Sequence, residues 1–511
     1  MSVFLCAFNK AIADELQFKL TQRRPPLSLN PQQEAILIWA GQGSGSANII
    51  ARAGCGKSTT LLELARQVDE RAYASTFHSI GLKLWRQFKS RSEIDGNKTK
   101  NLAKTVFPWD KKLAGLLAEA VSFGKQSAFG VLGALAGDET DWENLIDYYG
   151  IDDEITQIST QRFVAECMKV YKRSLDMCMD QESVIDFDDM LLAPLYYGQN
   201  ARPSAQYDWV FVDEAQDTNQ SRRMLAKWIL KPGGRMIAVG DPGQAIYHFA
   251  GASSNAMDLI KADMQAVEMP LNITYRCPKL IVQMAQSWVP DFTAHDSAPD
   301  GVIRTIDHSD LWLEKFRTDG RDAILCRNTR PLVGIAVRLR EAGIPCVVEG
   351  QSGQAIIALV TKWGEITIGD LIDRVDMWRS EQVKKWQAKG RMDKVEGIEE
   401  RCGTVTMLAR QCGEGATVRR LVQKIEMLFG QDNRTDVIRL CTIHRSKGRE
   451  WDRVFLIGRN MYQPSRYAES DEELQQERNL EYVAVTRVKK ELVEVVVPAK
   501  KSAEMPDWWE A

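Results

Sequence analysis

The stretch GCGKST, Gly54 to Thr59, sets a lysine and two hydroxyls directly behind a pair of glycines. It follows the short apolar run NIIA and precedes TTLLELARQ, whose apolar spacing is helical. That order suits phosphate binding. Glycines let backbone N–H groups curl around phosphate oxygens, a helix N-terminus favours anions, and Lys57 can reach the β- and γ-oxygens. Ala53, Gly54, Cys55, Gly56, Lys57, Ser58 and Thr59 are therefore the expected nucleotide cradle, with Ser58 offering a hydroxyl to Mg²⁺. The segment departs from the pattern G-x-x-x-x-G-K-[ST] in its first glycine, which is Ala51 here. A glycine turn that merely happens to carry a lysine would need neither the strand before it nor the helix after it.

A second stretch, WVFVDEAQD, has the same logic. Its apolar strand, Val210 to Val212, delivers Asp213 and Glu214 to a strand's C-terminal end, where ligands bind in α/β sheets. Asp213 suits a magnesium ligand, and Glu214 suits a group that orients and deprotonates an attacking water. Two surface carboxylates after a strand are commonplace in isolation. Beside a phosphate loop they point to phosphoryl transfer.

The elements that must hold these residues read as two interrupted α/β units, each with a helical insertion. At 511 residues the chain is too long for one core, and 44% hydrophobic with 26% charged residues is ordinary for a globular protein. No window is apolar enough to cross a bilayer, and the N-terminal apolar run lacks a basic flank and a cleavage site, so no membrane role is expected. The ten cysteines are scattered without a C-x-x-C pair, which fits thiols of a reducing cytoplasm better than a disulfide frame or a zinc site. A net charge of −3 neither suggests nor excludes nucleic acid.

ARAGCGKST, TFHSIG, FVDEAQD, VGDPGQAIYHFAGA, TYRCP, TIHRSKGREW and LEYVAVTR follow one another from the phosphate loop to Arg487. Together they resemble the motif series of the UvrD/Rep/PcrA-like helicases of superfamily 1. The resemblance implies two RecA-like domains with parallel sheets and ATP in the cleft between them. The first would span 1–84 and 204–270 around a helical insertion at 85–203. The second would span 271–356 and 433–511 around a reduced helical accessory insertion at 357–432.

The same resemblance assigns roles. Gln244 matches the γ-phosphate sensor, Tyr275 the residue that stacks on adenine, Arg276 and Arg487 the two arginine fingers, and Glu450 a residue near the ribose. Gln32 suits the adenine-reading glutamine, with Gln33 one residue away. On the DNA side it implies Thr76, Phe77 and His78, the aromatics Tyr247 and Phe249, and Thr442 with His444. Bases stack on such aromatics without regard to sequence. Three motif positions depart from the family: Ala250 for an arginine, Thr274 for an asparagine and Arg449 for a leucine. None removes a phosphate ligand or a finger.

The expected activity is that of an ATP-dependent single-stranded DNA translocase and DNA helicase running 3′ to 5′. It would use ATP and Mg²⁺, act as a monomer on single strands and single/double-strand junctions, and work in the cytoplasm at the nucleoid beside a replication or repair protein. A recombination-regulating translocase that displaces proteins with little unwinding fits the same motifs. A P-loop kinase would leave Arg276, Arg487 and Gln244 unexplained, and a non-catalytic DNA-binding scaffold would not need Lys57, Asp213 and Glu214 intact.

One family segment is out of place. A strand, an aromatic-polar turn and a helix normally lie between the phosphate loop and TFHS, but that interval here is only TLLELARQVDERAYAS. FLCAFNKAIADEL at the N-terminus has the required pattern. A local permutation would insert the strand Val3 to Phe8 into the first sheet and turn Phe8, Asn9 and Lys10 toward DNA.

Overall fold

A computed structural model describes residues 2–7, 10–21, 29–69, 72–149, 151, 155, 157–246, 255–349, 352–388, 392–413, 415–429, 436–468 and 470–498. The chain divides into two compact units, Met1–Asn272 and Ile273–Ala511.

The first unit is built on six strands: β1 (Val3–Ala7), β2 (Ala47–Ala51), β3 (Tyr73–Thr76), β4 (Tyr207–Val212), β5 (Leu230–Gly240) and β6 (Val267–Leu271). They pair in the order β3-β1-β4-β5-β2-β6, every pair parallel. All five residues of β1 are buried, as expected of a strand covered on both faces of a parallel sheet, where apolar runs need not alternate. β1 sits between β3 and β4, with Ala7 beside Thr76 and Cys6 beside Val212. Parallel pairing sets the C-terminal ends of these strands along one edge of the sheet, where the loops that follow them gather.

Parallel strands need long crossovers. Here they include α1 (Lys10–Thr21), α2 (Pro31–Gln42), α3 (Lys57–Val68) and α4 (Phe77–Trp85). A helical insertion follows: α5 (Lys98–Val106), α6 (Lys111–Gln126), α7 (Glu139–Tyr148), α8 (Thr160–Met179) and α9 (Phe187–Tyr197). Its core, including Leu117, Val121 and Phe163, is continuous with Phe4, Phe77 and Val210 of the sheet. Inside it two lysines are fully buried. Lys98 Nζ lies 2.6 Å from Asp189 Oδ2, while Lys125 Nζ lies 2.7 Å from Asp186 Oδ2 and 2.8 Å from Asp189 Oδ1.

The second unit repeats the scheme with β7 (Val302–Asp307), β8 (Asp322–Cys326), β9 (Cys346–Glu349), β10 (Ile438–Thr442), β11 (Trp451–Ile457) and β12 (Val488–Val496). The order is β7-β12-β11-β8-β10-β9, again all parallel. Helices Ile368–Gln387, Met392–Arg410 and Val418–Phe429 occupy the inserted stretch. Their apolar faces, including Leu371, Leu408 and Leu421, join the core beneath Ile324, Leu440 and Phe455. Among the described residues, no helix is long and apolar enough to cross a membrane.

Candidate functional site

The phosphate loop leaves β2 and is tied down at its first residue. Arg52 N–H donates to Leu271 O at 2.9 Å, and Arg52 O accepts from Cys55 N–H at 3.3 Å. Gly56 caps α3 in the left-handed region, φ 80° and ψ 30°, and no side chain caps the helix there. Uncapped amides at a helix N-terminus favour an anion. A side chain at Gly56 would be strained by the positive φ, and its Cβ would come within 2.9 Å of Gln33 Nε2, which would have to shift. Ala53 and Cys55 are buried, whereas Gly54, Gly56, Lys57, Ser58 and Thr59 are half-buried. The backbone thus curls ahead of α3 with no side chain capping the helix.

The two neighbouring glutamines divide their work. Gln33 closes a capping box with Asn30, is buried, and donates from Nε2 to Thr60 Oγ1 at 3.1 Å. Gln32 instead pairs with Asn272, donating to its Oδ1 at 2.6 Å and accepting from its N–H at 3.0 Å. Of the two, Gln33 touches the loop.

Asp213 follows β4, and its N–H donates to Cys6 O of β1 at 3.0 Å. The N-terminal strand therefore helps position the acidic pair directly. Asp213 Oδ1 accepts from the Glu214 N–H at 2.9 Å. Glu214 itself holds φ 49° and ψ 45°, a left-handed conformation uncommon for a residue with a side chain and frequent at functional sites. Its Oε2 lies 3.5 Å from Lys57 Nζ. Burial, then the Glu214 charge, pushes the Asp213 carboxyl well above the ordinary range, and Lys57 opposes both. A buried carboxyl beside a second carboxylate offers hard oxygen donors and lacks compensating positive charge, a setting that suits Mg²⁺. Gln244 is also buried here, donating from Nε2 to Asp241 Oδ2 at 2.7 Å.

The second unit gathers its own set. Tyr275 is about half exposed and stacks on His295, with ring centroids 4.6 Å apart. Arg276 is ion-paired with Glu450, which also faces Lys489 Nζ at 2.9 Å. Although burial raises the Glu450 carboxyl, Arg276 and Lys489 hold it below the usual range. Arg487 is buried. It donates to Val483 O at 3.0 Å, to Arg449 O at 3.2 Å and to Thr486 Oγ1 at 3.1 Å. Thr442 ends β10, and the half-buried His444 follows; burial, then Arg327, pushes its imidazole down to about 3.

The residues expected on the DNA side are described only in part. Thr76 caps α4, accepting from Ser79 N–H at 3.1 Å, and lies beside Ala7 of β1. Lys10 is exposed and His78 half-buried. Phe77 is buried at 2% exposure and packs into the core with Phe4 and Ile80, so its side chain anchors the segment that Thr76 and His78 belong to. Phe8, Asn9, Tyr247 and Phe249 lie outside the described residues. Motif position also missed two buried polar residues. Gln216 Nε2 donates to Glu214 Oε2 at 2.6 Å, and Asp241 pairs with Arg52 Nη1 at 3.1 Å.

Residues 2–265 match the model of the UvrD/REP helicase N-terminal domain, and residues 375–497 match that of the UvrD-like helicase C-terminal domain. The ATP-dependent DNA helicase Rep of Escherichia coli is 27% identical over 298 residues, covering 51% of this chain and 43% of the relative. UvrD2 of Mycobacterium tuberculosis, also named an ATP-dependent DNA helicase, is 24% identical over 475 residues, 81% of this chain and 66% of the relative. PcrA of Staphylococcus aureus is 25% identical over 283 residues, 49% and 37% respectively. The chain thus spans under two thirds of the length of these relatives.

Proposed function

The chain belongs to the UvrD/REP helicase family, and from that membership we propose that it hydrolyses ATP to move along single-stranded DNA and unwind duplex. The observation that carries the reading is the uncapped N-terminus of α3 beside the Lys57–Glu214 pair. In this reading the loop amides and Lys57 hold the β- and γ-phosphates, and Glu214 orients the attacking water and takes its proton. Ser58 and Asp213 are the residues that would hold Mg²⁺, which supplies charge neutralisation across the phosphates. Arg276 and Arg487 stabilise negative charge on the transferring group, and Gln244 senses the γ-phosphate. Tyr275 and either Gln32 or Gln33 serve the adenine, and Glu450 the ribose.

Thr76, His78, Lys10, Thr442 and His444 belong, in this reading, to the DNA path. The seat of β1 between β3 and β4 supports its reading as the family's displaced strand, with Phe8, Asn9 and Lys10 facing DNA. Direction along the strand is taken as 3′ to 5′.

ATP turnover with and without single-stranded DNA, beside single-stranded RNA, tests the core of the proposal. DNA-stimulated hydrolysis is expected; a rate indifferent to nucleic acid would overturn it. Strand displacement on 3′- and 5′-tailed duplexes fixes direction, and displacement of a DNA-bound protein without unwinding would favour a protein-clearing translocase.

A further inference from the structure

Arg52 stands in the phosphate loop, yet its side chain leaves the loop. Its Nη1 reaches Asp241 Oδ1 at 3.1 Å, at the far end of β5 in sequence. Asp241 has no exposed surface. A buried carboxylate needs compensating charge and donors. The guanidinium gives the first, while Gly243 N–H at 3.1 Å and Gln244 Nε2 at 2.7 Å give the second. An ionised carboxylate only accepts hydrogen bonds, so it dictates that Gln244 turns its NH₂ end toward it. Hence the Gln244 side chain is oriented by Asp241, and Asp241 is held by Arg52.

The contacts continue in the other direction. Asp241 N–H donates to Gln216 Oε1 at 3.0 Å, and Gln216 Nε2 donates to Glu214 Oε2 at 2.6 Å. Glu214 faces Lys57 of the phosphate loop at 3.5 Å. The ring that starts at Arg52 therefore closes on the same loop five residues later. It is tightly packed: a Cβ on Gly240 would meet Gln216 Oε1 at 2.4 Å.

We propose that Arg52 is a positioning residue for the hydrolysis reaction, acting through the Asp241 carboxylate to aim the Gln244 amide. The inference rests on the ATPase reading above. Movement of the loop on nucleotide binding shifts Arg52 at one side of the ring and Lys57 at the other. Gln244 then reports the state of the loop without Arg52 touching nucleotide itself. In energetic terms Arg52 acts on the transition state, through geometry, and not on nucleotide affinity.

The test is steady-state ATPase at saturating single-stranded DNA, with the affinity of a non-hydrolysable ATP analogue measured beside it. The variants are Arg52→Ala, Arg52→Lys, Gln244→Ala and the Arg52→Ala/Gln244→Ala double, each checked for an intact thermal melt. Arg52→Ala is expected to lower kcat by ~10- to 100-fold. Analogue affinity should stay within ~3-fold, and Arg52→Lys should recover most of the loss. The double variant should be no slower than Gln244→Ala alone, because a relay cut twice is cut once. Analogue affinity falling in step with kcat would overturn the relay by making Arg52 a direct ligand. Multiplying losses in the double variant would overturn it by making the two residues independent. No ATP turnover by the unsubstituted chain would overturn the proposed function itself, and the relay with it.

Discussion

The ammonium of Lys57 lies 3.5 Å from the carboxylate of Glu214, which joins the end of the phosphate loop to the residue after the second motif strand. The pair makes the two side chains mutually dependent in place but not in role. On the proposed reading Lys57→Ala removes a phosphate contact and should abolish both turnover and tight nucleotide binding. Glu214→Gln keeps the shape and loses the base, so turnover should fall by ~10²-fold or more while ATP still binds. Steady-state hydrolysis and a fluorescent-nucleotide titration separate the two outcomes. Near-normal hydrolysis by Glu214→Gln would remove Glu214 from the role of base.

A cavity inside β1 should weaken the sheet that carries the acidic pair. Phe4 is fully buried, its ring 4.8 Å from Tyr207 and 5.9 Å from Tyr73. Phe4→Ala should cost ~3–5 kcal/mol of stability by leaving a cavity in the sheet's core. Urea unfolding of the first unit reads this directly. A loss below the scatter of the measurement would mean that β1 is not seated where it lies in the structure.

The lysines inside the helical insertion should be indispensable to folding. Lys125 is fully buried, and although burial opposes its charge, Asp189, Asp186 and Asp188 together raise its ammonium above the ordinary lysine range. Lys125→Met leaves these carboxylates facing one another and should destabilise the chain by ~3–5 kcal/mol. Turnover per folded molecule should be unaffected, since the Lys125 ammonium pairs with Asp186 and Asp189 of the insertion. Chemical unfolding with active-site titration decides it.

Two histidines give the stability an acid limb. Burial, then Arg222, pushes His78 down to about 4, and burial, then Arg327, pushes His444 to about 3, from an ordinary 6.5. Below pH 6.5 the unfolded chain therefore binds more protons than the folded one. The stability contributed by the neutral imidazoles is complete above that pH and is lost as the pH falls toward 4. Gln at either position does not titrate. The Tm deficit of His78→Gln or His444→Gln should accordingly shrink by a few degrees between pH 7 and pH 5. A deficit constant with pH would show that neither imidazole is held neutral.

What could be read from the sequence was the chemistry that is local in the chain. Gly54 to Thr59 and the Val210–Glu214 segment carry strand, turn and candidate catalytic group within a few residues, so their pattern is visible without a fold. The choice between Gln32 and Gln33 was not visible, because it depends on which side of α2 meets the loop. The burial of Phe77 was hidden for a related reason: its motif gives its place in the chain, while the sheet claims its ring for the core. Arg52 and Asp241 are 189 residues apart, and no local pattern joins them. Nothing local in the sequence marks Lys98 and Lys125 as buried; the packing of four helices turns them inward.

The pairing of Val3 with Trp209 also sets a timetable. A ribosome adds residues at ~5–20 per second, so about 200 residues of further chain occupy ~10–40 s before β4 can appear. Throughout that interval β1 is an apolar strand without the neighbour that carries Asp213. The first sheet therefore cannot assemble in the order of its synthesis. That single placement makes the distance in sequence between β1 and β4, and not the length of either strand, the step that the first sheet waits for.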